Sequence, residues 1–380
     1  MFAYGFLSIV LVLYLASIGL DAHRIGILLT LTLLGDVVVS LFLTTRADAF
    51  GRRRTLIGGA ILMAAAAAVF ASTRSFTLLL IAATIGVISP SGNEVGPFLA
   101  IEQVALADVA KGRDRTGLYA WYNLGGSFAT ALGSLAAGAM AQAAGYRDVI
   151  LGYGVLGAAL GAMFAFLSPA VNAKHDGSGR IRSRGIIAKL SALFALDSFA
   201  GGLVVQSILA WWFYRRFGLS PAVLGSIFFG ANILAGISAL AAARLAKRFG
   251  LLNTMVFTHL PSNILLLLVP FMPTLTLAIT VLLLRFSISQ MDVPTRQAYI
   301  IDVVEPSERT AAAGITGVAR TTGAALAPIL AVPLISGSHD WLPFVAAGVL
   351  KVIYDLLLLR SFKTREPSSR QSQTTSPPPR

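Results

Sequence analysis

IGILLTLTLLGDVVVSLFLTTRADAFGRRRTLIGGAILMAAAAAVF, residues 25–70, holds two apolar stretches joined by a short, strongly basic turn. The first runs over 25–45 and the second over 55–72, each close to the about 20 apolar residues that cross a bilayer as a helix. Between them stand Arg46, Asp48, Phe50, Gly51, Arg52, Arg53 and Arg54. A backbone in hydrocarbon must satisfy its own amides, which a continuous helix does. The stretch therefore predicts a helical hairpin with its turn at the membrane surface.

The same pattern continues in both directions. The chain of 380 residues is 56% hydrophobic and 12% charged, with a mean hydropathy of +0.77, against about 25% charged residues in a soluble domain. Apolar runs punctuated by Gly, Pro and charges predict spans at 1–20, 25–45, 55–72, 76–101, 117–142, 148–168, 186–213, 221–243, 251–270, 274–300, 311–335 and 341–360. The first segment lacks a basic n-region and a small-residue cleavage site, so it reads as a span and not as a signal peptide. Its abrupt start at Met1 is compatible with a start site placed too late. The expected fold class is an all-α membrane protein of twelve transmembrane helices in two six-helix pseudo-repeats.

The formal charge of +13 lies mainly in loops, where it acts as a topology signal and a contact for anionic lipid, not as a nucleic-acid surface. With both termini cytoplasmic, only Arg24, Arg74, Arg147, Arg215 and Arg216 fall on the far side, while Arg285, Arg296, Arg320 and Lys351 lie within spans. There is no cysteine, and His23, His175, His259 and His339 are scattered singly. No disulfide, metal site or cofactor is expected.

The longest polar interruption, 169–185, falls near mid-chain and reads as a cytoplasmic linker between an N-terminal six-helix bundle (1–168) and a C-terminal one (186–360). Residues 361–380 are polar and Pro-rich and read as a disordered cytoplasmic tail. Gln103, Asp108, Val109, Asp114, Arg115 and Thr116 line up with Gln297, Asp302, Val303, Glu308, Arg309 and Thr310 at a constant interval, which points to duplication. A parallel repeat of six spans is the layout of two transporter halves that rock about a midplane site.

Asp48-Ala49-Phe50-Gly51-Arg52-Arg53 resembles the Asp-x-x-Gly-Arg-Arg core of the loop motif of the major facilitator superfamily. The resemblance implies the major facilitator fold, with spans one, four, seven and ten lining a central cavity. It gives Asp48, Gly51, Arg52 and Arg53 a gating role, Asp48 latching the halves near the start of span eleven. The second-half counterpart, Leu245-Ala246-Lys247-Arg248-Phe249-Gly250, has no acid, so such a latch belongs to one side only. Span five reads Asn123-Leu124-Gly125-Gly126-Ser127, then Gly133 and Gly138, without the Gly-Pro pair usual in the drug-antiporter branch. Helix packing accounts for these glycines. No subfamily is assigned.

Ionisable groups inside a bilayer are costly and therefore mark function or fixed pairs. Arg285, Asp292 and Arg296 share one face of span ten by their spacing, with Arg285 deepest and best placed as an anion ligand. The alternative for Asp292 and Arg296 is a structural ion pair. In span four, Pro90 to Pro97 should break the helix and present Asn93 and Glu94. Asp36, Asp197 and Arg320 complete the substrate or proton-pathway candidates, while Lys351 and Asp355, four apart in span twelve, read as a self-contained bridge. Tyr4, Tyr14, Trp121, Tyr122, Trp211, Trp212 and Trp341 are expected at membrane interfaces.

The expected function is a secondary active transporter that moves a small, polar or anionic solute by alternating access, with proton coupling through Glu94, Asp36 or Asp292. Efflux of drugs or lipophilic cations is the alternative, and a non-transporting receptor or assembly partner is the alternative from another class. No nucleophile–base or metal constellation points to an enzyme. The partners are the small-molecule solute, protons and membrane lipids, not nucleic acid, and the chain is expected to act as a monomer. Ala, Gly and Arg usage with short loops gives the bacterial cytoplasmic (inner) membrane as the expected location.

Overall fold

The computed structural model describes residues 1–92, 98, 102, 115–167, 183–305 and 308–362, without side chains at 43–50, 115–120, 243, 301 and 310. These residues form helices and turns. Ten helical segments are long and apolar enough to cross a membrane, and two shorter apolar ones, Phe2–Ser17 and Phe76–Ile85, occupy the places of spans one and four. The linker lies outside the described residues from 168 to 182, and so does the tail from 363 onward.

Several spans are discontinuous. Span one is Phe2–Ser8 and Leu11–Ser17, span seven is Arg184–Gly202 and Gln206–Phe217, and span ten is Leu275–Ser289 and Asp292–Val303. Span eleven divides into Arg309–Ala325 and Pro328–Ser336. Unbroken helices form span two (Ala22–Phe50), three (Arg52–Ser72), five (Arg115–Ala143), six (Tyr146–Ala165), eight (Pro221–Phe249), nine (Leu251–Leu268) and twelve (Leu342–Phe362).

The helix of span four ends at Ile85, and Gly86 is extended at φ −73°, ψ 155°. The break thus comes earlier than Pro90. A proline in a helix clashes with the carbonyl four residues back, and four residues before Pro90 is Gly86, a poor helix former in any case.

The turns after spans two and eight share one geometry. Phe50 and Phe249 end their helices, and Gly51 (φ 90°) and Gly250 (φ 85°) lead directly into spans three and nine. Only glycine adopts this left-handed region without strain, so the Phe-Gly pair common to both copies carries the same structural job. Gly51, Gly250 and the basic residues Arg52, Arg53, Lys247 and Arg248 mark one end of the bundle, the basic face. The turns around Asp21, Arg74, Gly145, Gly218 and Gly337 mark the opposite face. There Asp21 caps span two by accepting the Arg24 amide at 2.9 Å, a bond that holds its carboxyl below the usual range.

In lipid, helices associate through close packing of small residues and through polar contacts, not through apolar burial. At the crossing of spans five and eight, a Cβ on Gly138 would lie 2.9 Å from the Gly225 Cα, and one on Gly225 3.0 Å from the Gly138 Cα. Gly133 sits against the Phe2 carbonyl, whereas a side chain at Gly125 would meet open space. The packing role expected of the span-five glycines is therefore met at Gly133 and Gly138 but not at Gly125. Spans two and eleven meet where the Ile329 amide donates to Thr30 Oγ1 at 3.0 Å.

The aromatic residues depart from an interfacial belt. Tyr4, Tyr14 and Trp212 are buried, Tyr14 donating to the Phe70 carbonyl and Trp212 Nε1 to Asp340 Oδ2 at 3.1 Å. Their polar tips find protein partners, which lets the rings pack inside the bundle. Trp121, in contrast, is 72% exposed.

Gly138→Leu forces spans five and eight apart, and overpacking of this kind costs about 1–3 kcal/mol. Thermal unfolding in detergent should show a clear loss for Gly138→Leu and little change for Gly125→Ala; equal behaviour of the two would refute the close-crossing account.

Candidate functional site

The buried charges of the second half converge on Asp197 of span seven. Its Oδ1 accepts from Lys351 Nζ of span twelve at 2.6 Å, and its Oδ2 lies 3.3 Å from Arg296 of span ten. Arg296 also holds Asp292, four residues earlier, at 2.8 Å, and its guanidinium lies 5.7 Å from the centre of the Phe194 ring. All four ionic side chains are more than nine-tenths buried. Burial strips each charge of water, and only this mutual pairing makes it bearable.

A second group adjoins the first. Asp355 of span twelve, fully buried, accepts from Asn263 Nδ2 at 2.9 Å and faces His259 Nδ1 at 2.9 Å. The other nitrogen of His259, Nε2, is 3.9 Å from Asp197 Oδ1, which joins the two groups. Tyr354 packs edge-on to the His259 ring. Pro261 lies inside the span-nine helix between His259 and Asn263, whose four-residue spacing puts both on one face.

Lys351 and Asp355 therefore do not form the self-contained bridge expected from their spacing. The i, i+4 interval brings two side chains to one face of a helix, but each here finds a better partner across a helix interface. Asp197 offers Lys351 a carboxylate at 2.6 Å, and His259 with Asn263 saturates Asp355.

Arg285 and Arg320 stand apart from these ion pairs. Both are partly buried and lie within the electrostatic reach of Asp197 and Asp292, yet neither is in an ion pair among the described residues. The Nε of each is buried without a hydrogen-bond partner there. Arg285 belongs to the first segment of span ten and Asp292 and Arg296 to the second, across the break at Gln290 and Met291. Asp36 lies in the first half, where it accepts from Ser40 at 3.3 Å and feels the Tyr153 phenol of span six. Asn93 and Glu94 lie outside the described residues, and so does the Asp48 side chain. Arg52 is buried, and Arg53 donates to the Ala165 carbonyl.

Uncharged polar residues build a second feature where the halves meet. Gln206, at the start of the second segment of span seven, donates from Nε2 to Ser8 Oγ at 2.9 Å and Ser134 Oγ at 3.1 Å, both in the first half. Its Oε1 accepts from Asn232 of span eight at 3.2 Å, and the neighbouring Ser207 amide donates to the Pro90 carbonyl at 3.1 Å. Gln206 and the adjoining Ser207 amide thus tie the breaks of spans one, four and seven together beside spans five and eight. Sequence reasoning passed over Gln206 because a single Gln or Ser in a span carries no distinguishing mark. His259 and Asn263 were passed over because histidines were weighed only as metal ligands. Their shared helix face was the signal available.

A cleft of about 440 Å³ lies in the first half, lined by residues that include Tyr4, Glu102, Trp121 and Phe164, with the Tyr122 hydroxyl donating to Glu102 at 2.6 Å. It is formed by other spans than the charged cluster. The cluster itself brings both signs of charge together in the second half, with Arg285 and Arg320 in its field.

Breaking this network should follow partner counting. Asp197→Asn deprives Lys351 of its ion-pair partner, and loss of one member of a buried pair costs about 3–5 kcal/mol. Adding Lys351→Met should restore much of the stability, while Lys351→Met alone is milder because Asp197 keeps Arg296. A double-mutant cycle by thermal unfolding checks this; strict additivity would refute the pairing.

Comparison with known proteins agrees with this architecture. The family model of the Major Facilitator Superfamily matches residues 1–284 and, in a second match, 190–379. The uncharacterized membrane protein YJR124C of Saccharomyces cerevisiae is 28% identical over 406 aligned residues, covering 95% of this chain and 91% of that protein. Among solved structures, a mutant of the nucleoside transporter NupG superposes with a TM-score of 0.74 at 16% identity, covering 95% of this chain and 96% of the other. A bacterial homologue of the human lysosomal transporter Spinster, inward-facing and occupied, gives 0.73 at 15% identity over 96% and 94%. Identities this low speak for the fold alone. With a family match along nearly its whole length and twelve apolar helical segments in the matching fold, the chain is a multi-pass integral membrane protein that belongs to the major facilitator superfamily of secondary transporters.

Proposed function

We propose that this transporter carries a small organic anion, which Arg285 and Arg320 bind from the wall of a central cavity. The observation that carries the reading is the charge balance of the second half. Four cations, Arg285, Arg296, Arg320 and Lys351, face three carboxylates, Asp197, Asp292 and Asp355. The ion pairs occupy Arg296 and Lys351, so the surplus rests on Arg285 and Arg320, whose buried Nε groups lack partners. A guanidinium presents a planar fork of donors that matches a carboxylate or phosphate, and in a low-dielectric site an anion there relieves an otherwise costly positive charge.

Alternating access follows from the family. The described contacts between the halves, Gln206 with Ser8 and Ser134, Thr30 with Ile329, and Gly138 with Gly225, run from mid-bundle toward the opposite face. By the positive-inside rule the basic face is cytoplasmic, so this conformation is closed toward the outside. The opening step must part these contacts. Drug efflux gains no support here, because a cationic cargo would meet two arginines that have no ion pair among the described residues. The relative in yeast gives no support to a bacterial inner membrane, and the composition that motivated that location does not separate it from other membranes.

The test is thermal stabilisation of the detergent-solubilised protein by succinate, citrate, glucose 6-phosphate and benzoate, with uridine, xylose and tetraphenylphosphonium as uncharged and cationic controls. A ligand at a hundred times its Kd stabilises by about 2.7 kcal/mol. An anion should stabilise the protein, and Arg285→Gln or Arg320→Gln should weaken its binding about tenfold to a hundredfold, the worth of a charge-assisted hydrogen bond. Stabilisation by the controls and by no anion, or an anion affinity left unchanged from the parent by both substitutions, would refute the assignment.

A further inference from the structure

We infer that His259 takes up the proton that drives the transport cycle, at its Nε2 nitrogen, with Asp355 and Asn263 as positioning residues. The inference rests on the secondary-transport assignment and stands apart from the identity of the cargo.

The imidazole is buried between two carboxylates. Asp355 Oδ1 is 2.9 Å from Nδ1, and Asp197 Oδ1 is 3.9 Å from Nε2. Asn263 Nδ2 lies 3.2 Å from Nδ1 and donates to Asp355 Oδ2 at 2.9 Å; Nδ1 has its shorter contact with the Asp355 carboxylate, which can only accept, and this places the proton of the neutral ring on Nδ1. Nε2 is then a bare lone pair turned toward the negative oxygen of Asp197. A proton arriving at Nε2 converts this unfavourable approach into an N–H facing a carboxylate, while the Nδ1 contact becomes charge-assisted. Geometry thus favours the imidazolium from both ends of the ring.

Charge points the same way. The groups in direct contact, Asp197, Asp292 and Asp355 with Arg296 and Lys351, hold three negative and two positive charges while His259 is neutral. One proton makes the contact network neutral. A neutral contact network is the form that passes through the occluded state at least electrostatic cost.

The other groups around His259 do not replace it as the proton site. Span ten brings Asp292 and Arg296, already paired at 2.8 Å, and span twelve brings Lys351, paired with Asp197 at 2.6 Å, and the Tyr354 ring. From span eleven Arg320 acts through the field it shares with Asp197. The titratable groups of span eight, Arg244, Lys247 and Arg248, sit at its basic-face end. Protonation also links the site to movement. Asp197 Oδ1 faces both Lys351 Nζ of span twelve and His259 Nε2 of span nine, so a charged His259 competes with Lys351 for it and loosens span twelve from span seven.

The absence of cysteine makes a direct test available. Ser75→Cys and Ser338→Cys place spin labels on exposed positions of the opposite face, one in each half. Their separation, measured by double electron–electron resonance in lipid nanodiscs without added solute, reports opening of that face. Between pH 8.0 and 5.5 the populations should shift, by at most about tenfold per pH unit for one proton. His259→Gln should abolish the shift, and Asp355→Asn, which removes one of the flanking carboxylates, should move its midpoint to lower pH. If His259→Gln does not fold, the midpoint of Asp355→Asn alone decides. A pH-independent distance in the parent, a full shift retained in His259→Gln, or an unmoved midpoint in Asp355→Asn would overturn the inference. These samples contain no solute, so failure of anion binding leaves this result standing, and the reverse holds equally.

Discussion

One carboxylate organises the second half of this protein. Asp197 is buried in a helix that must lie in a low-dielectric bundle, and an isolated carboxylate there would cost far more than a helix packing contact returns. It is tolerated because Lys351 and Arg296 reach it at 2.6 and 3.3 Å from two other spans, with His259 at 3.9 Å from a third. In lipid no apolar driving force holds helices together, so these bonds do for spans seven, nine, ten and twelve what a hydrophobic core does for a soluble bundle. The packing of small residues supplies the rest, as at Gly202, where a Cβ would collide with the Ala324 carbonyl and the Ala327 side chain of span eleven.

The interface between halves is made differently. Among the described residues the partners there are neutral, Gln206 with Ser8 and Ser134, and the approach of Gly138 to Gly225. Neutral hydrogen bonds contribute about 0.5–1.5 kcal/mol each in net terms, few enough to be exchanged for water when the face opens. A salt bridge as tight as that of Lys351 and Asp197, placed across the halves, would hold one state too firmly for a cycle. The division is physically sensible: charges brace one half internally, and weaker contacts close the moving seam. Broken helices at spans one, four and seven bring free backbone groups to that seam, as the Ser207 amide on the Pro90 carbonyl illustrates.

Much of the scaffold was legible in the sequence, because a twenty-residue apolar run has few other uses and Phe50-Gly51 and Phe249-Gly250 announce their turns by glycine. The pairing of Asp292 with Arg296 was legible too, as one of two readings, since i, i+4 spacing on one helix is a local rule. The same rule misled at Lys351 and Asp355, whose partners come from spans seven and nine. Spacing reports which residues share a face but not what that face meets. The break in span four was foreseen from Pro90, yet its place at Gly86 depends on the reach of the proline ring back along the chain. Gln206 was invisible, and His259 marked only by the face it shares with Asn263, for a related reason. Their importance lies wholly in tertiary neighbours, and a polar residue alone in a span looks the same whether it bonds across an interface or back to its own helix.

The arrangement also bears on why the charged network exists at all. A buried ion-pair network is rarely a source of stability, since apolar residues of equal volume commonly do as well or better. If Asp197, Lys351, Arg296 and Asp292 served only to hold helices, balanced pairs would suffice and nothing further would be needed beside them. Instead two more arginines stand in their field with buried nitrogens that lack a hydrogen-bond partner among the described residues, and a histidine is set between two carboxylates. Groups of this kind raise the energy of the empty protein. In the function we propose, their surplus charge is met by a solute and their deficit by a proton, with Asp197 as the shared point through which each is felt by the other.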